Sequence, residues 1–125
     1  MKEECLFVSG HLDLSPEEFG EHYEPALRAG MARGSAFVVG DARGADAMAQ
    51  AFLAAAGWER VTVFHMFDAP RHNVGGAPTL GGFTSDKSRD AAMTAASTAD
   101  LAWVRPGREK SGTARNLARR TQVSG

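Results

Sequence analysis

The chain has 125 residues, enough for one domain whose core needs neither disulfide bonds nor a bound metal. Its 14 Lys and Arg residues and 15 Asp and Glu residues give a formal net charge of -1, which argues against a general nucleic-acid or membrane-surface binder. The single cysteine, Cys5, has no partner for an internal disulfide. With no predicted signal peptide and no apolar run long enough to cross a membrane, we expect a cytoplasmic protein.

Short apolar runs, the pattern of strands buried on both faces of a sheet, alternate along the chain with amphipathic segments typical of helices. In chain order, the sequence predicts a strand at 5–8, a helix from Ser15-Pro16 to Met31, a strand at 36–39, a helix at 45–56, a strand at 60–64, a loop at 66–83, a helix capped by Thr84 or Ser85, a strand at 101–104 and a helix at 114–120. Strands that alternate with helices indicate right-handed crossovers and therefore a parallel sheet.

We therefore expect one α/β domain over residues 1–125, a Rossmann-like three-layer sandwich with a mostly parallel sheet of four to five strands. In such sheets a ligand binds beyond the carboxyl ends of the strands, where the strand order reverses. The segments expected at that edge are 9–13, 40–46, the residues from His65 onward, and 105–113.

The predicted loop at 66–83 contains the glycine pairs Gly75-Gly76 and Gly81-Gly82 together with Pro70 and Pro78. Loops of this length in compact domains are usually functional or disordered. One hypothesis is that the stretch from Gly75 to Gly82 forms a lid over a ligand.

Two strand-to-helix junctions have the character of phosphate sites. One is the segment 106–113, in which Ser111, Gly112 and Thr113 open the last helix. Unpaired backbone N–H groups and the positive end of the helix dipole favour a phosphate there. The other is the segment 36–46, where a buried strand runs into Gly40 and Gly44.

These junctions carry a resemblance to a known group. The segments Gly40-Asp-Ala-Arg-Gly-Ala-Asp46, Lys87-Ser-Arg-Asp-Ala-Ala-Met93 and Pro106-Gly107 with Ser111-Gly112-Thr113 resemble the SLOG superfamily over roughly residues 36–120. That superfamily has a Rossmann-like fold and includes the Lonely Guy phosphoribohydrolases, the DNA-processing protein DprA and small nucleotide-sensor domains. The resemblance implies a module that binds or senses a nucleotide or a nucleotide-derived phosphorylated ligand, and it also implies a homodimer or higher homo-oligomer.

The Lonely Guy enzymes carry an Arg-x-x-x-Met element, matched here by Arg89 and Met93, and a Pro-Gly-Gly-x-Gly-Thr-x-x-Glu element, matched only in part. Asn116 stands where that second element has its glutamate, which favours binding or sensing over catalysis. The alternative is an N-glycosidic-bond hydrolase or transferase, similar to a phosphoribohydrolase or a nucleoside deoxyribosyltransferase. Its catalytic carboxylate would be Asp41 or Asp13, since a carboxylate can stabilise or attack an oxocarbenium-like state.

The residues expected to bind the ligand share a place at the carboxyl edge of the sheet. They are Ser9, Gly10, Gly40, Arg43, Gly44, Asp46, Arg89, Gly107, Ser111, Gly112 and Thr113. Arg89 is either the counter-charge of a phosphate or a partner of Asp86 or Asp90, and Asp46 either caps its helix or binds ribose hydroxyls. The four histidines show no metal-binding pattern, so we expect neither a metal nor a cofactor.

Overall fold

A computed structural model describes residues 4–71, 73 and 76–124 of the chain. Its strands are β1 (Cys5–Ser9), β2 (Ala36–Gly40), β3 (Val61–Met66), β4 (Thr79–Phe83) and β5 (Ala99–Ala102). Within the described residues they form one sheet in the order β4-β3-β2-β1-β5, and each neighbouring pair is parallel. The predicted α/β fold with a parallel sheet is therefore confirmed.

Helices cover both faces of this sheet. They are α1 (Pro16–His22), α2 (Glu24–Ala32), α3 (Ala45–Ala55), α4 (Asp86–Ala96) and α5 (Gly112–Ser124). The first three share one apolar core with the sheet, whereas α4 packs on the strands within a second core and contacts α5. The result is the expected three-layer sandwich.

The two cores follow from the alternation of side chains along each strand. Leu6 and Val8 of β1 pack in the first core, and Phe7 between them packs with Phe64 and Met93 in the second. Successive side chains of a strand point to opposite faces, so a run of apolar residues serves both layers. This explains why the central strands are uniformly apolar.

The first predicted helix is two helices in the structure. The division falls at Tyr23, which stays in the right-handed helical region with φ −117° and ψ −44°, ends α1 and precedes α2. Pro25 accounts for the break, because it has no N–H to donate to the carbonyl of Glu21 and its ring crowds that carbonyl. The break lets the buried Tyr23 hydroxyl donate to the Ser9 carbonyl at 2.7 Å and accept from the Trp103 N–H at 3.1 Å.

The predicted loop at 66–83 contains a fifth strand, so that prediction was wrong for β4. The strand lies at the edge of the sheet, and its residues 79–83 are exposed or half-buried. An exposed segment with two adjacent glycines has neither the apolar pattern nor the β-propensity that marks a buried strand. Gly81 and Gly82 are therefore strand residues, whereas Gly75, the first residue of the proposed lid, lies outside the described residues.

The remaining boundaries shift slightly from their predicted positions. Strand β5 begins at Ala99 and ends at Ala102, so it leaves Trp103 and Val104 in the loop that follows. Helix α5 begins at Gly112, within the Ser111–Thr113 segment that was predicted to open it. Ser85 is the residue that caps α4, through its side chain and the Ser88 N–H. No helix in the described part of the chain is long and apolar enough to cross a membrane.

Gly44 holds the loop after β2 against the loop after β1. Its φ is 75°, and a Cβ atom at this position would lie 2.4 Å from the Leu12 carbonyl oxygen. We predict that Gly44→Ala lowers the free energy of unfolding by about 3 kcal/mol, because a steric clash with backbone is added to the strain of a positive φ.

The matched control is Gly57→Ala, since Gly57 has φ 70° but no atom within 4 Å of the added Cβ. We expect it to cost only about 1–2 kcal/mol, the strain of the left-handed conformation. Urea denaturation of both variants measures the difference, and equal losses would contradict the steric role of Gly44.

Candidate functional site

A cavity of about 330 Å³ lies at the carboxyl edge of the sheet and is called the edge cavity below. Strand β1 lies between β2 and β5, so the chain leaves β1 at the point where the strand order reverses. The loop after β1, α4 and the start of α5 provide most of its walls. Its lining residues are Phe7, Ser9, Gly10, His11, Leu12, Ala42, Asp46, Arg71, Asp86, Arg89, Asp90, Met93, Arg108, Ser111, Gly112, Thr113, Arg115 and Asn116.

The start of α5 presents unpaired donors to this cavity. The Ser111 hydroxyl accepts from the Ala114 N–H at 3.2 Å, as an N-cap does. The N–H groups of Gly112 and Thr113 have no acceptor among the described residues, and both residues line the cavity. Such groups at the positive end of a helix dipole form a site for an anion.

Ser9 is a buried polar residue in the lining of the same cavity. The residue is 6% exposed, and its hydroxyl has no hydrogen-bond partner among the described residues. A buried polar group without a partner costs free energy, so such groups are few in native structures. Ser9 therefore lies in the lining of the same cavity as the unpaired N–H groups of α5, with its own hydroxyl buried.

Asp41 anchors a cluster of charged residues whose other members, Arg71, Asp86, Arg89 and Asp90, line the edge cavity. Its fully buried carboxylate accepts from the Arg89 Nη1 at 2.7 Å and from the Arg71 Nη2 at 2.9 Å. It also accepts from the Arg71 backbone N–H at 2.8 Å. The carboxylate therefore joins the end of β2 to α4 and to the segment after β3.

Burial acts to raise the pKa of Asp41, but the hydrogen bonds and charges of Arg71, together with the charge of Arg89, outweigh it and lower the pKa to about 2. The group is thus ionised at neutral pH and does not line the edge cavity. Asp13, the other candidate catalytic residue, also lies outside the lining, and it pairs with Arg105 at 3.1 Å and Arg108 at 3.7 Å.

Arg89 is buried and committed to acidic side chains. Besides Asp41, its guanidinium contacts Asp90 at 3.1 Å and Asp86 at 3.4 Å. Arg89 therefore pairs with both Asp86 and Asp90, the partners that the sequence offered as the alternative to a phosphate. Asp41, 48 residues away in sequence, is its third partner. The three carboxylates offset the positive charge of the Arg89 guanidinium, which weakens its attraction for a phosphate.

Asp46 lines the edge cavity and has few partners. The residue is 7% exposed, and its Oδ2 accepts from the Ala42 N–H at 3.2 Å. No other donor among the described residues reaches the carboxyl group. Burial raises the pKa of Asp46 to about 7, with the negative charges of Asp90 and Asp41 acting in the same direction and the Arg89 charge opposing them.

Of the other residues expected to bind the ligand, Gly10 lines the cavity, whereas Gly40, Arg43, Gly44 and Gly107 lie outside the lining. Arg43 is exposed and outside the lining, and Gly44 precedes α3 as its N-cap. Gly10 is packed so closely that an added Cβ would lie 2.4 Å from both Ala45 and the Tyr23 hydroxyl. The N–H of Gly107 donates to the Glu109 carboxylate at 2.8 Å.

Several lining residues were not among those expected to bind the ligand. Arg108 and Arg115 flank the Ser-Gly-Thr segment, and Arg115 lies one turn into α5 from Ser111. The spacing of four residues between Ser111 and Arg115 could have predicted that both lie on the same face of the helix start. Arg71 gave no signal, because its partner Asp41 is 30 residues away in sequence.

His11 belongs to the segment 9–13 expected at this edge, but it was not among the residues expected to bind the ligand. Its Nε2 accepts from the Arg105 N–H at 2.8 Å, and burial and nearby arginine charges lower the pKa of its ring. The ring is therefore neutral at neutral pH and fixes the loop after β5. Arg105 itself contacts Glu18 at 2.7 Å, which ties that loop to α1.

A larger cavity of about 490 Å³ lies near Val61 and Pro78, at the amino ends of β3 and β4. Its lining is mainly apolar, and it is remote from the unpaired donors of α5. The chemistry of the edge cavity makes it the better candidate site. Within the described residues, no three His, Cys, Asp or Glu side chains are grouped to hold a metal ion.

Comparisons of the chain with protein-family models, with curated proteins and with solved structures found no match. The resemblance to the SLOG superfamily therefore stays a prediction that rests on the sequence motifs. The geometry of the edge cavity is the independent ground for a function.

Removing Arg89 tests whether its main role is to neutralise buried acids. We predict that Arg89→Met lowers the free energy of unfolding by about 3–5 kcal/mol, because it leaves the buried Asp41 with only the half-exposed Arg71. The exposed Arg43→Met is the control and should stay within about 0.5 kcal/mol. Urea unfolding of the two variants gives the comparison, and losses of similar size would speak against the role of the cluster.

The buried Asp46 carboxyl makes stability depend on pH. Its pKa of about 7 exceeds the unfolded value of 3.8, so the folded chain binds the extra proton between about pH 4 and pH 7. This contribution to stability is present at low pH and is lost as pH rises through that window. We predict that Asp46→Asn gains roughly 2–4 kcal/mol relative to the wild type between pH 4 and pH 8.

Urea unfolding at unit steps of pH measures this gain. The exposed Asp68→Asn controls for the loss of one negative charge. If the wild-type and Asp46→Asn curves run parallel from pH 4 to pH 8, the carboxyl of Asp46 does not titrate in this window.

Proposed function

We propose that this protein binds or senses a nucleotide or a nucleotide-derived phosphorylated ligand in the edge cavity. One observation carries the proposal: the N–H groups of Gly112 and Thr113, which have no acceptor among the described residues, lie at the positive end of the α5 dipole in the lining of the edge cavity. A phosphate offers several acceptor oxygens, so it can pair both donors at once.

Positive charge for the phosphate comes from two arginines at the cavity rather than from Arg89. Arg108 has a half-exposed side chain whose closest acid, Asp13, is 3.7 Å away. Arg115 is exposed and donates to the Lys110 carbonyl at 2.8 Å, which leaves other guanidinium donors for a ligand. Both can approach an anion at the start of α5.

The cavity also offers apolar surface to the rest of the ligand. Phe7 and Met93 belong to its lining and are buried in the second core. Leu12 also lines the cavity, and 52% of its surface is exposed. A nucleobase that extends from a bound phosphate would find this side chain at the mouth.

The second candidate function is hydrolysis or transfer at an N-glycosidic bond. The observation in its favour is that Asp46, a carboxyl whose pKa is raised to about 7, lines the cavity and could exchange a proton near neutral pH. Asp41 and Asp13 are less suited to this role, because each is held by arginines outside the lining. The homo-oligomer and the cytoplasmic location expected from the sequence stay predictions.

A negative charge placed at the start of α5 tests the proposed phosphate site. We predict that nucleoside monophosphates or diphosphates raise the melting temperature of the wild type and that Thr113→Asp abolishes the shift, because the new carboxylate repels the phosphate. Ala114→Asp is the matched control, since it adds the same charge one residue later and outside the cavity lining. The control should keep most of the shift.

Chromatography of the same samples separates the two candidate functions. Stabilisation without any product supports binding or sensing, and release of a free base that Asp46→Asn abolishes supports the enzyme. If no phosphorylated compound shifts the melting temperature, or if Ala114→Asp and Thr113→Asp act equally, the phosphate site at α5 is refuted.

A further inference from the structure

We infer that the ligand is a ribose phosphate or a ribonucleotide, and that Asp46 selects it by accepting hydrogen bonds from the ribose hydroxyls. This inference rests on the proposed function, because it takes the phosphate to lie at the start of α5. It adds the chemical class of the remaining ligand and assigns Asp46 as the residue that determines specificity.

Asp46 has an oxygen available for a ligand. The Ala42 N–H occupies Oδ2, and no second donor among the described residues reaches the carboxyl. Only 7% of the Asp46 surface is exposed, yet the residue lines the edge cavity. A buried carboxyl with an unfilled acceptor site is the counterpart of the unpaired donors on α5.

Gly40 creates the space in which the carboxyl lies. A Cβ atom at this position would be 2.6 Å from the Asp46 Oδ2 and 3.3 Å from the Arg89 Cζ. The absence of a side chain in this last residue of β2 therefore lets Asp46 and Arg89 approach the sheet side by side. The arrangement depends on glycine for its close packing and requires no unusual backbone conformation.

Arg89 does not satisfy Asp46 although it lies beside it. Its guanidinium is already shared among Asp41, Asp86 and Asp90. Asp46 therefore faces the cavity as a hydrogen-bond acceptor that lacks a cation of its own. Such a group repels a phosphate and attracts neutral hydroxyl donors.

The two walls of the cavity thus have opposite preferences. The α5 side offers N–H donors and Arg108, and the other side offers the Asp46 carboxyl. A volume of about 330 Å³ is at the lower end of ligand pockets, roughly 300–1,000 Å³, so the phosphate and the hydroxyl groups must belong to one compact unit. A ribose phosphate carries both groups in this form.

The test compares D-ribose 5-phosphate with 2-deoxy-D-ribose 5-phosphate by isothermal titration calorimetry. We expect the wild type to bind the ribose compound at least about 10-fold more tightly, the loss expected when a hydrogen bond to a charged group is removed. In Asp46→Asn the ratio should fall below about 3-fold. Asp68→Asn is the control, because it removes an exposed carboxylate outside the lining, and it should keep the wild-type ratio.

The outcomes distinguish this inference from the proposed function. If both sugar phosphates bind equally to the wild type and Thr113→Asp abolishes both, the phosphate site stands and the role of Asp46 is refuted. If Asp46→Asn keeps the full preference for ribose, the assignment of Asp46 also fails. If neither sugar phosphate nor any nucleotide binds the wild type, both proposals fall.

A second measurement needs no variant and covers the case in which Asp46→Asn does not fold. The ratio of the two affinities in the wild type should rise between pH 5 and pH 8 as Asp46 ionises and becomes the stronger acceptor. Titration of the ligand phosphate cancels in the ratio, and the charged groups that face Asp46 are Arg89, Asp90 and Asp41. A ratio that stays constant over this range would overturn the inference.

Discussion

The ionised carboxylate of Asp41 is the constraint on which the carboxyl edge depends. It is fully buried at the end of β2 and accepts hydrogen bonds from Arg71 and Arg89, which come from two different parts of the chain. Burying such a group is unfavourable unless its partners stay in place, so the cluster holds α4 and the segment after β3 in one position relative to the sheet. The wall of the edge cavity is therefore set by an electrostatic requirement.

The same cluster determines which polar groups remain for a ligand. Because Arg89 is shared among Asp41, Asp86 and Asp90, its charge is already offset by carboxylates, and no ion pair joins it to Asp46 among the described residues. On the opposite wall, the N-cap of α5 uses one donor and leaves those of Gly112 and Thr113 unpaired. Donors on one wall and an acceptor on the other give the cavity a direction that a phosphate and its sugar can match.

Close packing brings these walls together. Gly10 and Gly40 lie where a side chain would overlap Tyr23 or Asp46, and the Tyr23 hydroxyl connects the ends of β1 and β5. The sheet reverses its strand order at β1, which opens a crevice there instead of filling it with a helix. The loops after β1 and β2 therefore contain both the close contacts that stabilise the fold and the residues proposed to bind the ligand.

The sequence by itself determined the α/β class, four of the five strands and the helix start at Ser111, because apolar runs and N-cap residues act over a few neighbouring residues. It also placed Ser9, Asp46, Gly112 and Thr113 at the carboxyl edge. Only the tertiary structure decided that β4 pairs at the edge of the sheet and that Asp41 meets Arg71 and Arg89. Those contacts join residues 30 and 48 positions apart, and no local pattern specifies which distant charge will share a buried space.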